Sequence, residues 1–295
     1  ELEQLYRAGW RHNVFVVDDN FIGNKKILKN ELLPALIDWK EGKTGFHFIT
    51  EASINLADDP ELMTLMARAG FVDVFVGIET PNELSLSECN KKQNSKRDLI
   101  RDIKTIQHHG MQVMAGFIVG FDNDPPDIFD RMIAFIQNSG IVTAMVGLLQ
   151  APFGTKLYAR MKKEGRILHE MSGDNSDGST NIQTKIPPPI LSRGYFRIMK
   201  NIYAPQMLYP RIKTFLENFN PRKVTVNIRL NELLAFIKSL FVMGFNPIEY
   251  RYYWDLIWWT VRHDIRKFPT AITMVIYGYH FRTITERNLR ALPGG

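Results

Sequence analysis

The chain has 295 residues, 45% of them hydrophobic and 23% charged, enough for one large or two moderate domains with a sizeable core. No apolar run reaches the roughly 18 to 20 residues of a membrane span, since the densest stretch, Tyr250 to Val261, is broken by Arg251 and Asp255. The net charge of +6 is spread over Lys25/Lys26, Lys91/Lys92, Lys162/Lys163 and Arg262/Arg266/Lys267, without a nucleic-acid signature, so nucleic acid is not an expected partner.

The chain opens on Glu1-Leu-Glu-Gln, which reads as mid-helix rather than as a signal peptide. With no initiator Met, it is expected to be a fragment. Strand-like runs then alternate with helical periodicity. The strands are expected at Val14–Val17, Phe46–Thr50, Val72–Gly77, Val113–Val119 and Thr143–Leu149. The helices between them are expected at Lys26–Glu41, Pro60–Ala69, Lys96–His109 and Pro125–Ser139. Asp59-Pro60 and Asp124-Pro125-Pro126 place Pro in first helical turns, and Gly70 and Gly110 stand where helices should stop. The strands are apolar on consecutive positions, as in a parallel sheet covered by helices. The fold class is therefore α/β, a partial TIM-type (β/α) barrel or an open doubly wound sheet, over residues 1–168.

The alternation stops near Gly165. A polar, glycine-rich stretch and Pro187-Pro188-Pro189 read as a flexible loop or linker over 169–189. Residues 190–295 show only helical periodicity, over about 190–219, 227–244, 249–266 and 270–290, with breaks at Pro205, Pro210, Pro221, Pro247 and Pro269. This predicts a separate all-α C-terminal domain. Its aromatics, Tyr250, Tyr252, Tyr253, Trp254, Trp258 and Trp259, are expected in its core or at its seam with the barrel.

The single cysteine, Cys89, rules out an intramolecular disulfide and a multi-Cys metal site from this chain, and fits a cytoplasmic setting. The seven histidines form no spaced ligand pair, so no metal residue is assigned. No GxSxG elbow, GxxxxGK[ST] loop or strand-to-helix GxGxxG turn is present.

Polar residues recur at four strand ends: Asp18-Asp19-Asn20, then Thr50-Glu51-Ala52-Ser53, then Glu79-Thr80, then Asp122-Asn123-Asp124 after Gly116 and Gly120. In α/β proteins these ends line the active mouth. Adjacent acids there carry repulsion and desolvation, and suit a polyhydroxylated or cationic ligand. Taken alone, Glu51 or Glu79 reads equally well as a charge at a helix N-terminus. Gly116 and Gly120 would let a flat ring lie against the strand, or would mark a bulge or tight helix packing.

The order of these segments, closing with Pro152-Phe153-Gly154-Thr155, resembles the barrel of cobalamin-binding-domain radical SAM (S-adenosylmethionine) proteins. The likeness runs from residue 1 to about 170, in the branch with an uncharacterised helical C-terminal domain. It implies a partial (β/α)6 barrel and reductive cleavage of SAM by a [4Fe–4S] cluster to a 5′-deoxyadenosyl radical. In many such proteins it also implies cobalamin-dependent methylation of unactivated carbons. By position, Asp18, Asp19 and Asn20 match the segment that holds the amino-acid part of SAM. Glu51 and Ser53 count with them as cofactor-binding positions. Glu79 and Thr80 match the segment near the ribose or substrate. Gly116, Ile118 and Gly120 resemble the GxIxGxxE motif, whose backbone lies against adenine. Here Asn123 holds the place of its Glu, with Asp124 one residue later. Gly147 and Pro152–Thr155 look like the family's sixth strand and its turn.

The family's CxxxCxxC loop lies upstream of the first residue here, and the cobalamin domain further upstream still. Cys89 cannot replace three clustered thiolates. The fragment alone is therefore expected to be inactive, with a small-molecule substrate of hydrophobic character for the whole enzyme. The strand at Val14–Val17 is expected to be an open edge, covered by self-association or by the N-terminal segment. Two alternatives remain open: a TIM-barrel-like hydrolase or lyase working through the strand-end acids, and a noncatalytic scaffold in which the aromatic helical domain binds a partner or lipid.

Overall fold

The computed structural model describes residues 1–171, 173, 178–221 and 230–290. Residues 172 and 174–177 of the expected loop, 227–229 of the expected 227–244 helix, and 291–295 lie outside these. In chain order the first part is α1 (Leu2–Arg7), β1 (Asn13–Val16), α2 (Lys25–Ile27), α3 (Leu33–Lys40), β2 (His47–Glu51), α4 (Pro60–Ala69) and β3 (Phe71–Glu79). Then come α5 (Glu83–Glu88), α6 (Leu99–His108), β4 (Gln112–Val119), α7 (Ile128–Ser139), β5 (Ala144–Leu148) and α8 (Lys156–Lys163). The five strands form one parallel sheet in the order β1-β2-β3-β4-β5, the α/β architecture expected of a partial barrel.

Local chemistry sets the helix ends. The Asp59 carboxylate accepts from Leu62 N–H at 3.1 Å to start α4, and Gly70 ends it with a left-handed φ of 104°. Asp98 caps α6 and Thr155 caps α8 in the same way. The expected helix at 26–41 is not continuous: α2 and α3 are joined by a π-type turn at Leu28–Leu32. Pro34 follows at once and has no N–H to give to the preceding turn. The helix expected from Pro125 begins at Ile128 instead, because Asp124 turns back onto its own loop, as described below.

One face of the sheet carries Val74, Val76, Val113, Ala115, Phe117 and Val146, all buried under α4, α6 and α7. Phe117 meets Phe135 of α7 edge-on at 6.0 Å. Each of these Val and Phe side chains contributes about 1.5 to 3 kcal/mol by burial. The other, inner face carries Phe75, Gly77, Met114, Gly116, Ile118 and Met145, none of them fully buried. At the β1 edge Phe15 is 48% and Val17 83% exposed. The N-terminal helix packs elsewhere, with Tyr6 against Trp39 at 6.3 Å and Phe46 at 6.1 Å.

The chain continues through α9 (Pro188–Ile202), α10 (Pro205–Asn218), α11 (Leu230–Ser239), α12 (Tyr250–His263) and α13 (Phe268–Arg290). Pro205 starts α10, but Pro210 lies inside it without ending it. One core cluster runs from the sheet into these helices. The α9 helix covers the β5 edge. The Tyr203 hydroxyl accepts from Ala144 N–H at 3.2 Å and donates to its carbonyl at 2.8 Å, so the edge groups of Ala144 are satisfied. A Cβ at Gly194 would sit 2.2 Å from Phe129, so only glycine lets α9 approach α7 this closely. Phe281 of α13 stacks on Tyr203 at 5.2 Å. Between α10, α12 and α13 the Tyr209 hydroxyl donates to buried Glu249 at 2.8 Å, and Arg282 pairs with the same carboxylate. Among the described residues no helix is long and apolar enough to cross a membrane.

Candidate functional site at the strand ends

The parallel strands bring the predicted residues to one end of the sheet. Asp18 accepts from Asn20 N–H at 3.0 Å, a short Asx turn that closes the loop after β1. The Asn20 carboxamide oxygen then accepts from Ser53 N–H at 3.1 Å and Ser53 Oγ at 3.2 Å. Ser53 Oγ is also 2.6 Å from Asn55 Oδ1, and Lys25 donates to the Asn55 carbonyl at 3.2 Å. The first two strand ends are thus laced together by Asn20 and Ser53. Asp18 and Asp19 stay exposed beside them. Glu51 ends β2 in register with Phe75 of β3.

At the end of β3 the register shifts between Gly77 and Glu79. Glu79 takes a left-handed φ of 66°, uncommon without glycine and a mark of a constrained site. A buried carboxamide fixes this bulge: Asn94 Nδ2 donates to the Gly77 and Ile78 carbonyls, each at 2.9 Å. The Glu79 carboxylate then folds over Gly77 and pairs with Lys91 at 2.8 Å. A Cβ at Gly77 would lie 2.6 Å from Glu79 Oε1 and 2.7 Å from Lys91 Nζ. Thr80 is buried, and its hydroxyl accepts from Asn82 N–H at 3.3 Å, so it shapes the turn rather than facing the mouth.

Gly116 of β4 is in register with Gly77 on one side and Met145 on the other, with Ile118 further along the same face. Its missing Cβ leaves room for the Phe75 ring, 3.1 Å from where a Cβ would be. Gly120 has a φ of 108° and faces Leu191 of α9 at 3.3 Å. Protein neighbours therefore lie against both glycines.

The loop after β4 is locked by two acids. The Asp124 carboxylate accepts from Gly120 N–H at 2.7 Å, Phe121 N–H at 3.0 Å and Ser85 Oγ at 2.7 Å. Burial nevertheless pushes its carboxyl above the usual range, outweighing these bonds. Glu88 accepts from the backbone N–H of Asn123 at 3.2 Å, from its carboxamide at 3.0 Å and from Arg160 at 3.1 Å. Asp122 pairs with Arg166 at 2.6 Å, and that guanidinium holds its carboxyl low. Where the resembling motif has Glu, Asn123 is bound to Glu88 and Asp124 holds the loop.

Sequence reasoning passed over Lys91, Asn94 and Glu88. Lys91 read as one of several scattered cations, and its pairing with Glu79 depends on a loop that returns over β3. Asn94 left no sequence signal, since its partners are main-chain carbonyls.

The residues present do not fit a [4Fe–4S] cluster. Cys89 is the one cysteine. It is half-buried, burial pushes its thiol up, and its sulfur meets the Leu86 carbonyl at 3.5 Å. Among the described residues no group of three or more His, Cys, Asp or Glu is placed to hold a metal. The strand-end mouth does offer acceptors and a cation for an amino-acid carboxylate and ammonium.

Comparison with known proteins agrees with this architecture. An uncharacterized methyltransferase of Synechocystis is 35% identical over 290 residues, covering 97% of this chain and 54% of its own length. The hopanoid C-2 methylase of Rhodopseudomonas palustris is 36% identical over 213 residues, covering 72% of this chain and 39% of its own. The radical S-adenosylmethionine methyltransferase TsrM from Kitasatospora setae, solved with cobalamin and a [4Fe–4S] cluster bound, superposes with a TM-score of 0.50 at 14% identity. That match covers 99% of this chain and 54% of TsrM. The chain is a homologue of proteins named as methyltransferases, and it shares its fold with a radical SAM enzyme. Residues 155–292 match the family described as Domain of unknown function (DUF4070), a stretch that holds α8 to α13 of this chain. The chain spans about half the length of the curated relatives it matches.

Proposed function

We propose that this chain supplies the downstream part of the barrel, residues 1–168, and the helical C-terminal domain, 190–295, of a radical SAM methyltransferase. In the whole protein a [4Fe–4S] cluster would supply the electron for SAM cleavage, and cobalamin would serve as the methyl carrier. Among the described residues none forms a ligand set for the cluster. What this part contributes is the binding mouth. Asp18, Asp19 and Asn20, backed by Ser53 and Glu51, take the amino-acid end of SAM. Glu79, with Lys91, stands next to the ribose or substrate. Gly116 and Ile118 form the flat wall for adenine, while Thr80 and Gly120 shape the loops that frame it.

The observation that carries this reading is the Glu79–Lys91 pair, set over Gly77 by a left-handed turn that buried Asn94 enforces. A conformation of that kind costs about 1 to 3 kcal/mol and persists where the surroundings over-determine it, most often at functional sites. The apolar floor of Phe75, Met114, Ile118 and Met145 suits a small hydrophobic substrate.

The test is the full-length protein, reconstituted anaerobically with iron and sulfide and given SAM and a low-potential reductant. The proposal expects 5′-deoxyadenosine, S-adenosylhomocysteine or both to accumulate with turnover. Formation of neither, with the cluster intact by its absorbance, would refute it.

A further inference from the structure

The aromatics of the helical part are not all core. Tyr253 is buried and its hydroxyl meets Ser239 at 2.8 Å, but Trp254 and Trp258 face outward. On α11 and the π-type turn that follows it, Leu234, Ile237, Phe241 and Phe245 recur at helical spacing and are exposed, Phe241 at 70% and Phe245 at 69%. On α12, Tyr250, Trp254, Trp258 and Val261 do the same, with Trp258 at 59%. At about 100° per residue these four fall within one arc of less than a quarter turn. The two stripes meet at Gly244: Trp254 Nε1 donates to its carbonyl at 3.0 Å, and the Phe241 and Phe245 rings lie 5.9 Å apart. Soluble proteins rarely leave a contiguous apolar patch of this kind without a partner.

Charge tells which partner. Arg251 and Arg262 lie exposed on the flank of the α12 arc, and Lys238 on that of α11. Among the described residues the acids beside α12 are already paired, Asp255 with Lys213 at 2.7 Å and Asp264 with Arg266 at 2.8 Å. The face therefore presents aromatic and aliphatic groups bordered by cations. Tryptophan with an apolar body and a polar N–H settles at the depth of lipid headgroups, and flanking arginines meet anionic headgroups. We propose that the α11–α12 face lies on the surface of an anionic lipid bilayer and holds the enzyme there as a peripheral membrane protein. Leu234, Phe241, Phe245 and Trp258 enter the interface, while Lys238, Arg251 and Arg262 stay at the headgroups.

The experiment is sedimentation of the full-length protein with vesicles of phosphatidylglycerol and phosphatidylcholine in equal parts, with pure phosphatidylcholine as the neutral control. Binding should favour the anionic vesicles and fall as salt rises. Replacing Phe241→Ser together with Trp258→Ser should weaken binding by about ten- to a hundredfold. Both side chains are exposed, so the circular dichroism and thermal midpoint should not move. Arg251→Glu with Arg262→Glu should remove the preference for anionic vesicles. Three results would overturn the proposal. The protein fails to sediment with either vesicle. It binds, and the apolar double variant binds equally well. Or it forms a dimer that the same double variant dissolves, without vesicle binding, which makes the face a contact between copies of the chain.

Discussion

Asp73 should make this protein less stable at neutral pH than it would be without the charge. It lies low on the inner face of β3, in register with Ile49 and Gln112, with Tyr277 of α13 close enough to feel its charge. Burial alone pushes its carboxyl up to about 6 from the ordinary 3.8. An acid whose folded-state pKa is raised penalises the fold above that pKa and not below its unfolded value. The penalty therefore grows as pH rises from about 4 to about 6 and is fully present at pH 7. At about 1.4 kcal/mol per pH unit, the interval from 3.8 to about 6 amounts to about 3 kcal/mol. Asp73→Asn keeps the shape and removes the charge. Urea unfolding of the two proteins, followed between about pH 3 and 8, isolates this group. Acids that basic partners hold low, such as Asp58 by Arg97 and Asp122 by Arg166, lose stability in acid in both proteins and cancel in the difference. The variant should match the wild type below about pH 4 and exceed it by up to about 3 kcal/mol at pH 7. A flat difference across the range, or a variant less stable at pH 7, would refute the reasoning.

Asp124→Ala should cost about 2 to 4 kcal/mol in denaturant melts, because two loop N–H groups and the Ser85 hydroxyl lose a charged acceptor. Asp124→Asn should cost much less, since a carboxamide oxygen can still accept from Gly120 and Phe121 while its NH2 donates to Ser85. An equal loss in both variants would mean that the hydrogen bonds do not hold the loop. Arg211 is fully buried with Nε and Nη2 unpartnered, and desolvation pulls its pKa down to about 10. Arg211→Met should therefore leave stability unchanged or raise it by about 1 to 4 kcal/mol, and a midpoint that drops sharply would show a partner this account lacks. The chain expressed as these 295 residues should self-associate through the bare β1 edge. Sedimentation velocity should show concentration-dependent dimers that Val17→Lys weakens, and a monomer at all concentrations would contradict this.

The sheet was legible in the sequence because a strand buried by helices leaves a run of consecutive apolar residues, as at Val74–Val76 and Val113–Val119. Caps were legible where one side chain does the work next to its own helix, as at Asp59 and Gly70. The start of α7 was not, since Asp124 spends its carboxylate three and four residues back rather than on the helix ahead of it. The mouth was legible as a set of strand ends, but not in its pairings. That Asn20 would meet Ser53, or Glu79 meet Lys91, depends on strand register and on a returning loop that no local pattern encodes. The outward tryptophans of α12 were misread for a different reason. An aromatic stripe gives the same periodicity whether it faces the core or a partner outside the chain.

The central claim is that the acids after β1 bind SAM. It is tested most directly by SAM affinity in the full-length, cluster-loaded protein and in its Asp19→Asn variant, with the thermal midpoint read on the same samples. A charge-assisted hydrogen bond to the ammonium contributes about 1.5 to 3 kcal/mol. The account therefore predicts affinity about ten- to a hundredfold weaker with the midpoint unmoved, because Asp19 is exposed. Unchanged affinity alongside a large fall in the midpoint would make the acid structural and contradict the assignment of the mouth.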